Sequence, residues 1–433
     1  MQGKQCERLG LMLQRLFDRD SNAGDLLRRV GQTFAARLLL LTMSLVSGVI
    51  IARTLGPSGR GEYAVASAVA AIGAQFAMLG MHASNTYYLA RDKSKLSALL
   101  GNSLAVSWLA GGAIGGGVML FFSLTEGLLP LHGGLLLLAA LAVPVYASFT
   151  LLQNLLLGLY ETGRFNRVEI TMNGLSLTVL GALVLLGWQS PLTVYGSSLL
   201  VAAFVVVGMF HWLLKAGRGI RLSASLLRDN FGFSLRAYLS ALIFLLVTRI
   251  DLLLISHLQG AEATGHYAIA ASIAELLGML AVVTGNILFP RLSGEEDPRK
   301  RWKLASQTAM VIGTVVVLAG GLSIPLAEPL LDLMYGKQYL PAAAAYSWLV
   351  PGVICLAVNT IWMNYFAAEG MPPIVIVAPA VVLLLKLMLG LLLIPMHGIE
   401  GAAVAASISY GLMLAMSGVY LVWLRRPVAA VAS

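Results

Sequence analysis

The chain is short of charge and of cysteine, and each shortage excludes a class of protein. Only 11% of its 433 residues are charged, whereas soluble domains carry roughly 25%. A chain with so little charge cannot cover a water-exposed surface. Its two cysteines, Cys6 and Cys355, lie far apart in the sequence. They therefore predict neither a disulfide framework nor a metal site of Cys/His spacing.

Several catalytic motifs are also missing. The sequence has no GxxxxGK[ST] phosphate-binding loop, no HExxH metal motif and no GxSxG nucleophile turn. The segments between its apolar runs are short, and the longest of them, around residues 327–341, is mostly apolar. Such segments offer few groups that could activate a sugar outside a bilayer. We therefore expect a protein without enzymatic activity and without a metal or organic cofactor.

What the chain has instead is long apolar runs. It is 58% hydrophobic with a mean hydropathy of +0.83, and a membrane-spanning helix needs about 20 apolar residues. We predict an all-α polytopic membrane protein with about twelve transmembrane helices. Their predicted limits are 33–54, 63–89, 97–124, 135–158, 167–188, 192–214, 235–257, 266–289, 304–326, 342–367, 374–395 and 400–424.

The positions of the basic residues predict the topology. With the N-terminus in the cytoplasm, 24 of the 29 Lys and Arg fall in inside segments and 3 in outside segments. This asymmetry is typical of membrane proteins, whose cytoplasmic loops collect positive charge. It predicts that both termini are cytoplasmic. It also makes the net charge of +9 a property of membrane topology, so no nucleic-acid partner is expected.

An internal repeat divides the spans into two sets of six. Gly61-Glu62-Tyr63-Ala64-Val65-Ala66 matches Gly265-His266-Tyr267-Ala268-Ile269-Ala270 at an offset of 204 residues. Because six is even, the two sets have the same orientation and form parallel repeats, a plan used by transporters with a central site. The predicted organisation is a cytoplasmic segment at 1–32, either an amphipathic helix or an irregular tail, lobes at 33–215 and 235–424, a linker at 216–234 and a tail at 425–433.

Ionisable residues inside the spans are candidates for function, because charge in a bilayer is costly. Arg249 and Asp251 lie two residues apart in span seven, hence on different faces of a helix and poorly placed to pair with each other. We expect replacement of either to impair transport without disturbing folding. Glu275 and Lys386 lie near the middle of spans eight and eleven, and each is either a cavity residue or a buried structural partner.

Several short motifs, in order, resemble those of Wzx-type oligosaccharide flippases, a polysaccharide branch of the multidrug/oligosaccharidyl-lipid/polysaccharide (MOP) exporter superfamily. The resemblance covers about residues 30–424. The motifs are Ile51-Ala52-Arg53-Thr54-Leu55-Gly56-Pro57, Gly61-Glu62-Tyr63-Ala64, Arg249-Ile250-Asp251, Leu288-Phe289-Pro290-Arg291-Leu292-Ser293 and Gly398-Ile399-Glu400-Gly401-Ala402-Ala403.

The resemblance implies a central cavity lined by spans one, two, seven and eight, in a bacterial cytoplasmic membrane. The substrate would be a polyprenyl-diphosphate-linked oligosaccharide, with a polysaccharide polymerase and assembly proteins as partners. Arginine suits a diphosphate because it can bind it with two hydrogen bonds. The expected substrate-binding residues are Arg37, Arg53, Arg249 and Asp251, followed by Arg236 and Glu275. The candidates for coupling to H⁺ or Na⁺ are Asp251, His82 and Lys386.

Two alternatives stay open. One is a cation-coupled antiporter of drugs or metabolites from the same superfamily. Such a protein would need a coupling carboxylate in the first lobe, and we expect none in the middle of spans one to six. The other alternative is a membrane enzyme or a scaffold of a polysaccharide assembly complex.

Overall fold

A computed structural model describes the backbone at residues 3–125, 129–131 and 133–430. Side chains are described over the same ranges, except at residues 3–38, 231–234, 236–237 and 424–430. The amphipathic character predicted for residues 1–32 lies outside the described side chains. The α-helices within these ranges are α1 (Gly3–Met78), α2 (Met81–Arg91), α3 (Leu96–Leu124), α4 (Gly133–Gly158), α5 (Thr162–Leu185), α6 (Pro191–Gly217), α7 (Ala224–Gly294), α8 (Pro298–Ser323), α9 (Ala327–Tyr335), α10 (Ala342–Ala368) and α11 (Ile374–Ala430).

The predicted number of spans is confirmed. In the described part of the chain, nine helices are long and apolar enough to cross a membrane. Three of them, α1, α7 and α11, are bent at Gly56, Gly260 and Gly398, whose φ angles are 68°, 85° and 56°. Glycine adopts these angles without the penalty that a Cβ atom would bring. If each bent helix is counted as two spans, the total is the predicted twelve transmembrane helices of an all-α fold.

Consecutive spans run in opposite directions, so the molecule has two ends. We call the end with Gly56, Gly260 and Gly398 the turn end. We call the opposite end, with residues 91–95 and 299–303, the basic end. The two lobes have separate apolar cores, one built mainly from α3, α4 and α6 and the other from α7, α10 and α11. The second half of α1 contributes to both cores.

The connection between the lobes is fixed to the first one. Helix α7 begins at Ala224, inside the segment predicted as linker, and the Ser223 side chain caps it by accepting a hydrogen bond from the Leu226 amide. The Asn102 side chain of α3 donates to the Ser223 carbonyl at 2.9 Å and accepts from the Ser223 amide at 3.0 Å. The first turn of α7 is therefore anchored on α3.

The backbones of the two lobes come into close contact at the turn end. A Cβ atom on Gly61 would lie 1.8 Å from the carbonyl oxygen of Ala261. A Cβ atom on Gly265 would lie 1.8 Å from the carbonyl oxygen of Pro57. Pro57 precedes Ala261 by 204 residues, as Gly61 precedes Gly265. The contact therefore consists of two equivalent halves, because the residues that meet in one half are the repeat equivalents of those in the other.

We predict that a methyl group at either glycine forces the lobes apart at the turn end. Gly61→Ala and Gly265→Ala should each lower the free energy of unfolding by about 1–3 kcal/mol, because the clash is with backbone that no rotamer change can relieve. The measurement is the thermal unfolding of purified variants.

Gly48→Ala in α1 is the matched control, because no atom of the described residues lies within 4 Å of the place where a Cβ atom would be added. It should be neutral or stabilising, since alanine favours a helix interior over glycine. Equal stability of all three variants would contradict the close contact.

Candidate functional site

Two neighbouring cavities lie between the lobes. The first, of about 310 Å³, lies near the turn end, and the second, of about 480 Å³, continues towards the basic end. Both are lined by Ser272 and Glu275. The first also takes its polar lining from Arg60, Tyr63, Ser67 and Arg249. The second is also lined by Leu40, Ser44, Glu169 and Asn173, so span five contributes together with the four expected spans.

An ion pair occupies the place where these cavities meet. Nη1 of Arg249 lies 3.1 Å from Oε1 of Glu275, with side-chain exposures of 36% and 51%. The two residues lie on either side of the Gly260 bend in α7, which brings spans seven and eight together. An exposed ion pair of this kind contributes little to stability. Its arginine is therefore able to exchange the carboxylate for an anionic ligand at small cost.

Arg60 brings a second guanidinium into the first cavity from the other lobe. Its Nε atom is buried and has no hydrogen-bond partner among the described residues. Its charge lies 5.6 Å from the centre of the Tyr63 ring. In the predicted topology Arg60 is counted only among the basic residues of the outside segments, and the sequence does not predict it as a site residue. The overlooked signal is that Arg60 directly precedes the repeated Gly-x-Tyr-Ala motif, which lines the boundary between the lobes.

Asp251 points away from Arg249 and into the second lobe, as the two-residue spacing predicts. Its Oδ1 atom lies 2.6 Å from Nζ of Lys386, with side-chain exposures of 6% and 2%. The Tyr267 hydroxyl donates a hydrogen bond to the other carboxylate oxygen. Nζ of Lys386 also donates to the Val247 carbonyl at 2.6 Å and to the Tyr410 hydroxyl at 3.1 Å. This network joins spans seven, eight, eleven and twelve.

This network changes the roles that the sequence predicts for Asp251 and Lys386. Asp251, expected to bind substrate in the central cavity, lines a cavity of about 290 Å³ in the second lobe together with Tyr267 and Tyr410. The Arg249–Glu275 ion pair lines this cavity and the first central cavity alike. Lys386 is the buried structural partner that the sequence left open. We therefore no longer expect folding to be undisturbed when Asp251 is substituted. Such a substitution should lower stability, because Lys386 would stay buried without a counter-charge.

Arg53 lies at the turn end and binds protein rather than open space. Its Nε donates to the Met334 carbonyl at 2.7 Å and its Nη2 to the Leu333 carbonyl at 2.6 Å. Both carbonyls belong to the last turn of α9, where a cation is favoured by the helix dipole. Tyr339, just after α9, donates to the Ala52 carbonyl at 2.9 Å. These bonds place Arg53 in the closure of the turn end, and not in the cavity predicted for it.

The remaining candidates lie elsewhere. The side chains of Arg37 and Arg236 are outside the described residues. His82 lies in α2, half-buried, and its Nδ1 atom has no hydrogen-bond partner within the described ranges. It does not line either of the two cavities between the lobes.

A carboxylate in the first lobe was overlooked in the sequence. Glu169 lies about two turns into α5, lines the second cavity opposite Glu275, and accepts a hydrogen bond from Gln153 at 3.3 Å. The expectation of no acid in the middle of spans one to six did not anticipate this residue, because it lies close to the predicted start of span five. Its presence weakens the case against an antiporter.

We predict that the buried ion pair stabilises the second lobe as a unit. Lys386→Met should lower the free energy of unfolding by about 3–5 kcal/mol, because it leaves the Asp251 carboxylate buried without a counter-charge. The double variant Asp251→Asn/Lys386→Met should recover most of that loss, since neither remaining group is charged. Thermal unfolding of the purified variants measures both, with Arg249→Ala as a control for loss of an exposed charge. A double variant no more stable than Lys386→Met would contradict the pairing.

The family assignment follows from sequence models. The model described as "Polysaccharide biosynthesis protein" matches residues 26–296, which is more than half of the chain. The model described as "MatE" matches residues 237–392. An uncharacterized membrane protein of Methanocaldococcus jannaschii is 25% identical over 233 residues, covering 50% of this chain. The chain spans about half of that relative, since the match covers 45% of its length.

Solved structures of transporters have the same fold. An inward-facing multidrug resistance MATE family transporter of the MOP superfamily aligns with a TM-score of 0.71 at 14% identity, over 90% of this chain and 95% of that one. The lipid II flippase MurJ, in an inward closed conformation, aligns with a TM-score of 0.70 at 14% identity, over 90% and 86%. A MOP superfamily transporter from Pyrococcus furiosus aligns with a TM-score of 0.63 at 13% identity, over 92% and 95%.

At these identities the structural likeness shows the fold alone, and the family comes from the sequence model. The chain therefore belongs to the polysaccharide biosynthesis protein family, and it is a multi-pass membrane protein.

Proposed function

We propose that the protein moves a polyprenyl-diphosphate-linked oligosaccharide from the inner to the outer leaflet of a bacterial cytoplasmic membrane. The observation that carries this proposal is the meeting of Arg60 and Arg249, one from each lobe, in a single cavity. A diphosphate carries the charge and the acceptor oxygens that two guanidinium groups bind best. The chain is also a member of the polysaccharide biosynthesis protein family.

The topology sets the direction of transport. The distribution of Lys and Arg supports the predicted topology, in which the basic end and both termini are cytoplasmic and the turn end is outside. Two contacts close the turn end: Gly61 packs against Ala261, and Arg53 binds α9. The substrate then enters the cavities from the cytoplasmic side. Opening of the turn end and closing of the basic end release it outside, which is alternating access between parallel repeats.

Because the ion pair in the cavity is easily separated, substrate binding to Arg249 requires little free energy. In the empty transporter, Glu275 neutralises Arg249 at 3.1 Å. An arriving diphosphate replaces that carboxylate, and Arg60 supplies the second guanidinium from the other lobe. Because the ligand then bridges both lobes, it draws them together around itself. Glu275, released from Arg249, becomes a carboxylate that a proton or a sodium ion can neutralise, and we assign the coupling role to it in place of Asp251 and Lys386.

A cation-coupled antiporter is the second candidate, and one observation favours it. Glu169 and Glu275 line the same cavity from opposite lobes, an arrangement that suits a cationic compound. The match of residues 237–392 to the MatE model is consistent with it. The two candidates differ in the substrate that their central charges select, so the contents of cells without the protein distinguish them.

The test is mass spectrometry of polyprenyl-linked sugars in cells that lack the protein while glycan synthesis continues. We expect a finished lipid-linked oligosaccharide to accumulate where an external glycosidase cannot reach it. Return of the wild-type gene should clear it. The Arg60→Ala/Arg249→Ala variant should clear it at least tenfold more slowly, because loss of one charge-assisted contact costs roughly 1.5–3 kcal/mol.

Arg299→Ala, which removes an exposed cation of the basic end, is the matched control and should restore export. Membrane levels of each variant are measured alongside. No accumulation together with unchanged surface glycan and greater sensitivity to cationic drugs would reject the flippase and favour the antiporter. Full clearance by the double arginine variant would reject the binding site.

A further inference from the structure

A fourth cavity lies on the outer side of the first lobe, away from the boundary between the lobes. Its volume is about 270 Å³, and it lies between α4, α5 and α6. It shares no lining residue with the two cavities between the lobes. Its lining residues are Leu156, Arg164, Arg167, Val168, Thr171, Phe204, Val205, Gly208, Met209 and Trp212. We call it the lateral groove.

The lateral groove combines two arginines with an otherwise apolar lining. Arg164 lies 4.3 Å from the centre of the Trp212 ring, and its Nε is 3.3 Å from Oε2 of Glu161. Arg167 donates from Nε to the Gly163 carbonyl at 3.3 Å. The terminal nitrogens of Arg167 have no hydrogen-bond partner among the described residues. The groove therefore holds one guanidinium fixed by an aromatic ring and one with free donors.

The apolar part of the groove faces the bilayer. Phe204 is 67% exposed, and Leu200 and Val207, on the same helix, are 73% and 63% exposed. In a membrane protein such residues are covered by lipid chains. Gly208 is an exposed lining residue of the groove, and a Cβ atom added to it would have no atom of the described residues within 4 Å. The gap that it leaves is open to an acyl chain.

The predicted topology puts the arginines near the cytoplasmic end of α5, where lipid headgroups lie. Arg164 and Arg167 are in the first two turns of α5, at the same end of the molecule as the exposed Arg299 and Lys300. Apolar surface extends from them towards the middle of the bilayer. This is the arrangement in which basic pockets between spans hold anionic lipid headgroups on the cytoplasmic side.

We propose that the lateral groove binds an anionic glycerophospholipid, with its headgroup phosphate on Arg164 and Arg167 and an acyl chain beside Gly208. The lipid is distinct from the transported substrate, because the groove and the central cavities lie on different faces of α5. The other face of α5 carries Glu169, which lines the second central cavity. A lipid bound in the groove holds the helix that positions this carboxylate. The inference is independent of the substrate that the transporter carries.

The test is native mass spectrometry of the full-length purified protein with palmitoyl-oleoyl phosphatidylglycerol and, in parallel, palmitoyl-oleoyl phosphatidylcholine. The wild type should bind the phosphatidylglycerol preferentially. Arg164→Ala/Arg167→Ala should weaken that binding by about tenfold or more, since each basic residue near an anionic headgroup contributes a factor of about five. Arg164→Lys/Arg167→Lys should keep a preference for the anionic lipid.

The matched control is Arg299→Ala/Lys300→Ala, which removes two exposed cations from the same end of the protein and should leave binding unchanged. Gly208→Leu places a side chain at the acyl position without altering charge, and its Cβ atom meets no described neighbour, so it should also weaken binding. It keeps the test decisive if the double alanine variant fails to fold. Equal binding of the two lipids by the wild type, or equal loss in the control, would overturn the proposal. So would unchanged binding by Gly208→Leu, or displacement of the lipid by millimolar inorganic phosphate.

Discussion

The backbones of the two repeats are in close contact at Gly61 and Gly265, and the arrangement of the charges depends on this contact. A residue with a side chain at either position would hold the lobes apart. Because the lobes meet there, Arg60, one residue before Gly61, enters the same cavity as Arg249. Arg53, on the preceding span, reaches the last turn of α9. One close contact therefore closes one end of the molecule and assembles the cavity beneath it.

The two ionised pairs of the second lobe illustrate how burial decides the use of a charge. Asp251 and Lys386 are almost fully buried and are held by two tyrosine hydroxyls and a backbone carbonyl. Breaking this pair by removing one partner is costly, so it serves as a fixed part of the lobe. Arg249, two residues before Asp251, forms a half-exposed pair with Glu275, which is cheap to separate. The same helix thus supplies a structural charge and an exchangeable one.

Much of the fold could be predicted from the sequence, because a bilayer requires long apolar helices and each such helix is visible as a run. The repeat was visible because Gly61 and Gly265 are needed at equivalent close contacts. The partners of the charges could not be predicted, since Lys386 lies 135 residues from Asp251 and only packing brings them together. Position in the sequence also does not predict which arginine lines the cavity. Arg53 and Arg60 are near neighbours, yet the first binds α9 and the second enters the cavity.

The central claim is that the contact between the repeats at the turn end must separate during transport. Ser58 and Glu262 are exposed, equivalent positions beside that contact, and Cys6 and Cys355 can be replaced to leave a Ser58→Cys/Glu262→Cys pair as the only thiols. Export of lipid-linked oligosaccharide is then measured after joining the pair with a short bifunctional maleimide, with a monofunctional maleimide as control. We predict that export falls to the level of cells without the protein only when the two lobes are joined. Normal export by fully cross-linked protein would contradict this claim.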